Sequence, residues 1–177
     1  MKKTPPNYCS QISMSFHQQE KRSKMQSKIE IKLIDTKLPD KCGQEILPGY
    51  ATSGSAGLDL RSGEGYILKP GESHSFHTGL AIFLNDPVLC GLLVPRSSLG
   101  IKKIHLTNTL GIIDSDYQGE LIVPLTNNGT QSFHVEVGQR IAQLVVIPVV
   151  NVHWNPVLEF SETTNRSKGG FGSTGEK

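Results

Sequence analysis

Two carboxylates and a phenol stand within four positions of this sequence, at Asp114, Asp116 and Tyr117. An apolar run that ends at Ile113 precedes them, and a second one covers residues 121–125. This pattern predicts a β-hairpin with a polar tip at residues 114–119. A turn needs only one or two turn-forming residues. The other side chains are therefore available for chemistry, and the alternative is an ordinary solvated turn.

Four other stretches also combine small residues with one or two reactive side chains. They are residues 55–60 (SAGLDL), 95–100 (PRSSLG), 138–143 (GQRIAQ) and 166–175 (RSKGGFGSTG). Together with residues 108–127, and in this order and spacing, they closely resemble the five motifs of the trimeric dUTPases. The resemblance covers about residues 28–175. It implies an all-β subunit, a distorted jelly roll or β-barrel of the β-clip kind. It also implies a homotrimer that exchanges its C-terminal arms, so that each site forms between subunits.

The same resemblance implies hydrolysis of dUTP to dUMP and pyrophosphate. Such a reaction needs a water molecule oriented toward the phosphorus atom, a base that accepts a proton from this water, and neutralisation of the phosphate charge. Asp114 matches the family's water-holding Asp and is the expected base; otherwise it caps the turn. Asp59 matches the Asp of the first motif, which is implied to order the arginine and the hydrated metal; the alternative is pairing with arginines alone. Mg²⁺ is expected to be carried by the substrate phosphates and water, without direct protein ligands.

Phosphate binding is expected at two of the stretches. Arg96 and Ser97 follow a predicted strand and open a helical turn, where free backbone N–H groups bind anions and a guanidinium adds bidentate contacts. Ser98 stands where the family pattern Pro-Arg-Ser-Gly has glycine, and we expect it to keep a backbone contact. Gln143 matches the glutamine of the fourth motif. The alternatives are a surface ion pair for Arg96 and an inter-strand hydrogen bond for Gln143.

Recognition of the base and sugar is expected around the predicted hairpin. Uracil presents an acceptor–donor–acceptor edge, which backbone groups and the amide of Asn108 can satisfy. Ile112, Ile113 and Ile122 are expected to add backbone groups and walls that reject the thymine methyl. Tyr117 is expected to lie against the deoxyribose, where a ribose 2′-hydroxyl would clash. The alternative for Tyr117 is a packed core residue.

Residues 161–177 are rich in glycine, contain no aliphatic residue and include one aromatic, Phe171. This composition predicts a flexible arm. Stacking of Phe171 on a flat base would be worth roughly 1–3 kcal/mol. Backbone N–H groups and hydroxyls of Gly172, Ser173 and Thr174 are available to phosphates, and the resemblance implies that Arg166 grips phosphate. The alternative is a disordered tail without function.

Charge and apolar content exclude several classes of protein. Residues 1–28 hold six of the 18 basic and one of the 16 acidic residues, which leaves 12 basic and 15 acidic residues in the remainder. That remainder has a net charge of about −3, so we expect no nucleic-acid binding. No apolar run reaches 18 residues, so we expect no membrane span. The three cysteines are far apart, which favours a reducing compartment, and we expect a cytoplasmic protein.

The pattern of apolar residues predicts an all-β fold. No window of a dozen residues has helical periodicity, and the 18 glycines and 10 prolines interrupt the chain every 8–12 positions. Strands are predicted at 28–35, 58–60, 66–69, 74–84, 88–94, 103–106, 132–137, 141–150 and 157–160, besides the two arms of the hairpin. Residues 141–150 form an apolar strand that is too long to leave at a sheet edge, which agrees with oligomerisation.

The predicted organisation has three parts. Residues 1–27 are expected to be a disordered N-terminal extension, or to precede a true start at Met25. Residues 28–160 are expected to form the β domain, and residues 161–177 the arm that closes the active site. Two other functions remain open at this point: a dCTP deaminase of the same fold, including its bifunctional form, and a non-catalytic regulatory relative.

Overall fold

A computed structural model of the chain describes residues 28–35, 47–165 and 167. The predicted extension 1–27 lies outside the described residues. So does most of the functional part of the predicted arm, namely Arg166, Phe171, Gly172, Ser173 and Thr174. The three-part organisation of the chain therefore stays a prediction.

The described chain consists of strands and one single-turn helix. The strands are β1 (Glu30–Leu33), β2 (Leu58–Arg61), β3 (Tyr66–Leu68), β4 (Ser73–Phe83), β5 (Leu89–Pro95), β6 (Ile104–Leu106), β7 (Gly111–Ile113), β8 (Glu120–Asn127), β9 (Phe133–Val135) and β10 (Arg140–Pro148). The helix α1 (Ser97–Ile101) follows β5 directly. Within the described ranges no helix is long and apolar enough to cross a bilayer.

Two four-stranded antiparallel sheets form the body of the fold. Their strand orders are β1-β4-β8-β6 and β2-β10-β5-β7, and β3 and β9 form a separate pair. Most neighbours are far apart in sequence, as a jelly roll requires. The all-β, jelly-roll-like fold predicted from the sequence is confirmed.

The core lies between the sheets because their strands alternate in polarity. In β8, Leu121, Val123, Leu125 and Asn127 are buried, while the residues between them are more exposed. Phe76 of β4 and Leu60 of β2 are fully buried in the same cluster. One buried polar side chain in this layer is satisfied: Asn127 donates to the Leu68 and Gln131 carbonyls and accepts from the Gly129 N–H.

The predicted central hairpin is wrong. β7 pairs with β5, whereas β8 pairs with β4 and β6, so the two segments belong to different sheets. Residues 114–119 therefore cross from one sheet to the other. The sequence pattern of apolar run, polar turn and apolar run is the same for a hairpin and for a crossover between stacked sheets, which explains the error.

Two further predictions are corrected at the C-terminal end. Residues 157–160 do not form a strand, and Val157, Leu158 and Phe160 are exposed. The strand predicted at 141–150 ends at Pro148, and it is interior, between β2 and β5. β5 pairs with residues 142–148 of this strand, but among the described residues β2 pairs with it only as far as Leu144, so the argument from length applies to residues 145–148 alone.

Candidate active site

Asp59 and two arginines form an ionic cluster at the end of β5. The Arg96 Nε donates to Asp59 Oδ1 at 3.0 Å, and the Arg140 Nη1 donates to Asp59 Oδ2 at 3.1 Å. The Asp59 side chain is only 10% exposed. Both carboxylate oxygens are thus occupied by guanidinium groups, as the alternative for Asp59 anticipated. The cluster keeps one excess positive charge, which suits an anion.

Gln143 lies on the same face as this cluster. It is directly opposite Asp59 across the β10–β2 pair, so the two side chains point the same way. A Cβ added to Gly57 would lie 3.1 Å from the Gln143 Cβ and 3.3 Å from its Cδ. Within the described ranges the Gln143 amide makes no hydrogen bond, so the alternative of an inter-strand bond is not borne out. The amide is available to a ligand.

Ser97 and Ser98 begin the single turn of α1, next to the Asp59 cluster. Arg96 is the residue before the helix and its carbonyl accepts from the Leu99 and Gly100 N–H groups. The first N–H groups of a helix have no acceptor inside it. Both serines are exposed. The helical turn predicted at this point is confirmed, and its start faces outward.

Asp114 lies in the crossover loop that follows β7. Its backbone carbonyl accepts from the Tyr117 N–H at 3.2 Å, while its carboxylate makes no hydrogen bond to any described residue. The carboxylate is therefore not the cap of the turn. It lines an open cavity of about 880 Å³ together with Asp86, Asp116 and Ile112. An exposed carboxylate with free lone pairs is able to accept a proton from water.

Tyr117 occupies a defined place in the same loop. Its hydroxyl donates to the backbone carbonyl of Glu120 at 2.9 Å, and its side chain covers the backbone of Gly119. A Cβ at Gly119 would overlap the Tyr117 hydroxyl and ring. Tyr117 is 41% exposed. Tyr117 is thus a surface residue, not a packed core tyrosine.

The residues expected to recognise uracil are not all in one place. Asn108 precedes β7, and its amide nitrogen lies 3.6 Å from the position of a Gly111 Cβ. Thr109 next to it has φ 64°, a left-handed conformation that strains a β-branched residue. Ile112 is 65% exposed, whereas Ile113 packs against the core. Ile122, 40% exposed, belongs to the other sheet.

One chain places the candidate residues in two groups. Ile113 is paired with Gly91 near the beginning of β5, whereas Arg96 follows the end of that strand. Five residues separate these points, about 16 Å at 3.3 Å per residue. Asp114 and Tyr117 therefore lie at one end of the sheet, and Asp59, Arg96 and Gln143 lie at the other.

The oxygen ligands near Asp114 suit a hard cation that keeps most of its water. Among the described residues, no three His, Cys, Asp or Glu side chains are arranged to hold a metal ion. Mg²⁺ carried on a triphosphate needs few protein ligands, and the exposed Asp114 carboxylate would contact it through water. Each Asp59 oxygen already accepts a bond from a guanidinium, so this carboxylate is less open to a cation than that of Asp114.

Three residues that shape the candidate site were not among the site residues predicted from the sequence. Arg140 completes the Asp59 cluster. Gly57 leaves room for Gln143, and Gly119 leaves room for Tyr117. Arg140 lies inside one of the motif-like stretches, so its position was a usable signal. The two glycines resemble ordinary turn glycines in the sequence.

Comparison with known proteins identifies the family of this chain. The family model of dUTPase matches residues 44–175. The deoxyuridine 5'-triphosphate nucleotidohydrolase of Mannheimia succiniciproducens is 51% identical over 154 residues, which cover 85% of this chain and 99% of that protein. Its counterpart in Hahella chejuensis is 50% identical over 157 residues, which cover 86% of this chain and all of the relative.

The fold is shared with a solved phage enzyme. The structure of Staphylococcus bacteriophage 80alpha dUTPase with dUPNHPP has a TM-score of 0.73 and 25% sequence identity, and the match covers 85% of this chain and 99% of the phage protein. A point mutant of that phage protein with dUpNHpp gives a TM-score of 0.72 at 24% identity, with the same coverage. The family model matches residues 44–175, and a relative is 51% identical over 154 residues. This chain therefore belongs to the dUTPase family.

Proposed function

We infer that this protein hydrolyses dUTP to dUMP and pyrophosphate. The observation that carries this function is that the chain presents both a free carboxylate, Asp114, at one end of β5 and a positively charged cluster around Arg96 at the other end. The bacterial relatives at half identity carry the name of a dUTP nucleotidohydrolase, which favours dUTP over dCTP as substrate. The product dUMP serves thymidylate synthesis, and removal of dUTP keeps uracil out of DNA.

The Arg96 end of the sheet has the properties of a phosphate site. Arg96 donates its Nε to Asp59 and its Nη1 to the Arg140 carbonyl at 3.3 Å. These bonds fix the plane of the guanidinium, so that its remaining N–H groups point in a defined direction. We assign phosphate contacts to Arg96, to the Ser97 and Ser98 N–H groups and to the Gln143 amide. Asp59 acts on the reaction through Arg96.

Asp114 is assigned as the general base. It would accept a proton from a water that attacks the α-phosphorus, while pyrophosphate leaves with the charge spread over its oxygens. Mg²⁺ bound by the phosphates supplies neutralisation of that charge. Asn108, Ile112, Ile113 and Ile122 are assigned to the base and Tyr117 to the sugar; Arg166, Phe171, Gly172, Ser173 and Thr174 are assigned to the closing arm.

A homotrimer is proposed because a single chain separates the two halves of the site. The acidic loop with Asp114 and Asp116, together with the neighbouring Asp86, would repel a triphosphate in the absence of the arginine cluster. Three-fold closure brings the loop of one subunit to the arginine end of the next, and it gives three equivalent sites.

The C-terminal segment supports the same assembly. From Val150 to Phe160 the chain forms no strand or helix and exposes a series of large apolar side chains, among which Trp154 is 89% and Leu158 fully exposed. Covering them on a neighbouring subunit would remove this apolar surface from water. Residues 161–177 would then continue from that neighbour toward the site. We place the enzyme in the cytoplasm, where its thiols stay reduced.

A pyrophosphate-release assay tests the function directly. With Mg²⁺ present, the purified protein is given dUTP, UTP, dTTP and dCTP in parallel, and ammonium release from dCTP is measured beside pyrophosphate. We expect release from dUTP well above the other three nucleotides. Ammonium release from dCTP would overturn the assignment in favour of a deaminase, and the lack of any turnover would indicate a non-catalytic relative.

A further inference from the structure

The β4–β8 pair contains a bulge next to the loop that carries Tyr117. His77 is paired with Ile122, but the next pair is Ala81 with Glu120. Between these two pairs β4 therefore contains two more residues than β8. Residues 78–80 are buried and Gly79 has φ 69°. The ladder is thus interrupted between these two pairs, so the pairing of Glu120 with Ala81 needs further anchorage across the bulge.

The Glu120 side chain supplies this anchorage. Its Oε1 accepts from the Gly79 N–H at 2.7 Å, and its Oε2 lies 2.9 Å from the His77 Nδ1. The side chain is only 19% exposed. The neighbouring bond from the Thr78 hydroxyl to the Leu121 carbonyl, 2.6 Å long, closes the other side of the bulge. Glu120 is therefore fixed from both carboxylate oxygens.

The same residue holds Tyr117 through its backbone. The Glu120 carbonyl is the acceptor for the Tyr117 hydroxyl, and the tyrosine side chain covers Gly119, one residue earlier. A displacement of Glu120 would therefore move both the carbonyl that accepts from the Tyr117 hydroxyl and the Gly119 backbone under the Tyr117 ring. The chain of contacts runs from the β4 bulge through Glu120 to Tyr117.

We propose that Glu120 is a positioning residue that sets the place of the Tyr117 ring and thereby the preference for deoxyribonucleotides over ribonucleotides. This inference rests on the proposed function, because it takes the Tyr117 ring as the wall beside C2′ of the sugar. A ring held by a fixed carbonyl excludes a 2′-hydroxyl, whereas a ring free to tilt admits it. Glu120 touches neither the base nor the phosphates in this scheme.

The test compares kcat/KM for dUTP and for UTP in a set of variants. Glu120→Ala and Tyr117→Phe should each lower the dUTP/UTP ratio by about fivefold to tenfold, the equivalent of one hydrogen bond of about 1–1.5 kcal/mol. The double variant should lower the ratio no further than either single change, because both act on the same contact. Glu120→Gln, whose amide oxygen can still accept from Gly79, should restore the ratio to within about twofold.

Glu72→Ala is the matched control. The Glu72 carboxylate, like that of Glu120, accepts from a backbone N–H, that of Lys69 at 2.8 Å. It accepts in addition from the Tyr66 hydroxyl at 2.6 Å, and it contacts β3 and not Tyr117. Its loss should leave the dUTP/UTP ratio unchanged. If Glu120→Ala does not fold, Glu120→Asp keeps the charge but shortens the reach to Gly79, and it should lower the ratio.

Two results would overturn the proposal. One is an unchanged ratio in the folded Glu120 variant, with dUTP and UTP affected equally. The other is a double variant whose effect is the product of the two single effects, because Glu120 and Tyr117 would then act independently. The wild-type assay separates these from failure of the proposed function: no hydrolysis of dUTP by the unaltered protein rejects the function itself.

Discussion

Asp59 and Asp114 are aspartates in different surroundings, and we propose different roles for them on that ground. Asp59 is nearly buried and has both oxygens occupied by the arginines at positions 96 and 140. Asp114 is exposed, and its carboxylate is free of hydrogen bonds to the described residues. Each Asp59 oxygen already accepts a bond from a guanidinium in a nearly buried place, whereas the exposed Asp114 carboxylate has all of its lone pairs open to water. The base is therefore assigned to Asp114 and the support of Arg96 to Asp59.

The assignment of Asp114 predicts the result of one conservative change. Asp114→Asn keeps the size of the side chain and removes its ability to take a proton. Turnover of dUTP should fall by about 10²–10⁴-fold, the usual contribution of a general base. Binding of a non-hydrolysable analogue, measured by calorimetry, should stay within a few-fold of wild type. Turnover near the wild-type rate would reject Asp114 as the base.

A second prediction concerns pH. The hydrogen bond with Glu120 raises the pKa of His77 above its ordinary value, since it favours the protonated ring. The contact therefore contributes to stability fully below about pH 6.5, the unfolded value, and its contribution is lost as pH rises through the raised pKa. His77→Gln should lower the urea midpoint more at about pH 5.5 than at about pH 8.5.

The control for this prediction removes the partner. In a Glu120→Gln background, His77→Gln should have nearly the same effect at both pH values, because the carboxylate that favours the charged ring is absent. Equal destabilisation by His77→Gln at the two pH values in the otherwise unaltered protein would show that the ion pair does not contribute.

Packing between elements places strict limits on the glycines of the two sheets. Gly111 begins β7, and a Cβ there would lie 2.9 Å from the Leu93 Cβ on β5. A Cβ of the neighbouring strand has little freedom to move aside. The absence of a side chain at Gly111 is therefore what allows β7, with Asn108 before it and Asp114 after it, to lie against β5.

Gly111→Ala should accordingly destabilise the protein by about 1–3 kcal/mol, the usual cost of overpacking. Urea denaturation followed by circular dichroism measures the change. Gly100→Ala is the control, because a Cβ at that helical position meets no atom within 4 Å. It should stabilise by a few tenths of a kcal/mol to about 1 kcal/mol. Equal effects of the two substitutions would contradict the packing argument.

Elements with a local signal were predictable from the sequence. The strands predicted at 66–69 and 74–84 and the helical turn after Pro95 all depend on residues within a few positions of one another, and the structure contains all three. The partner of each strand depends on contacts distant in the sequence. The hairpin expected between β7 and β8 was wrong for that reason, since nothing local separates a hairpin from a crossover.

The site itself was predictable to the extent that short motifs carry it. Asp59, Arg96 and Gln143 lie together as the motifs suggested. The role of Glu120 was not predictable, because it follows from a bulge in β4 more than 40 positions earlier in the chain, and bulges leave little trace in composition. In the sequence, Glu120 is only a polar residue at the end of a turn.

At the scale of the whole molecule, Asp114 and Arg96 are separated along β5, so we predict that two inactive variants restore activity when they are mixed. A site formed within one chain would not give this result. Asp114→Asn chains and Arg96→Ala chains should each be nearly inactive alone. In a mixed trimer, a site can take Asp114 from an Arg96→Ala subunit and Arg96 from an Asp114→Asn subunit, so both groups are intact. Random mixing in equal amounts should restore about a quarter of the wild-type rate, since each half of a site is intact in half of the cases.

The measurement requires proof of exchange and a control for it. The two variants are unfolded together in urea, refolded by dilution, and checked by native mass spectrometry for mixed trimers before pyrophosphate release from dUTP is followed. The control is a chain that carries both substitutions, mixed with Arg96→Ala chains, because no combination of these subunits contains an intact Arg96. Recovery in the first mixture and none in the second is the expected result. If mixed trimers form and the first mixture stays inactive, Asp114 and Arg96 must act within the same chain, and the site would have to close by a movement of the loop at residues 114–119 along β5.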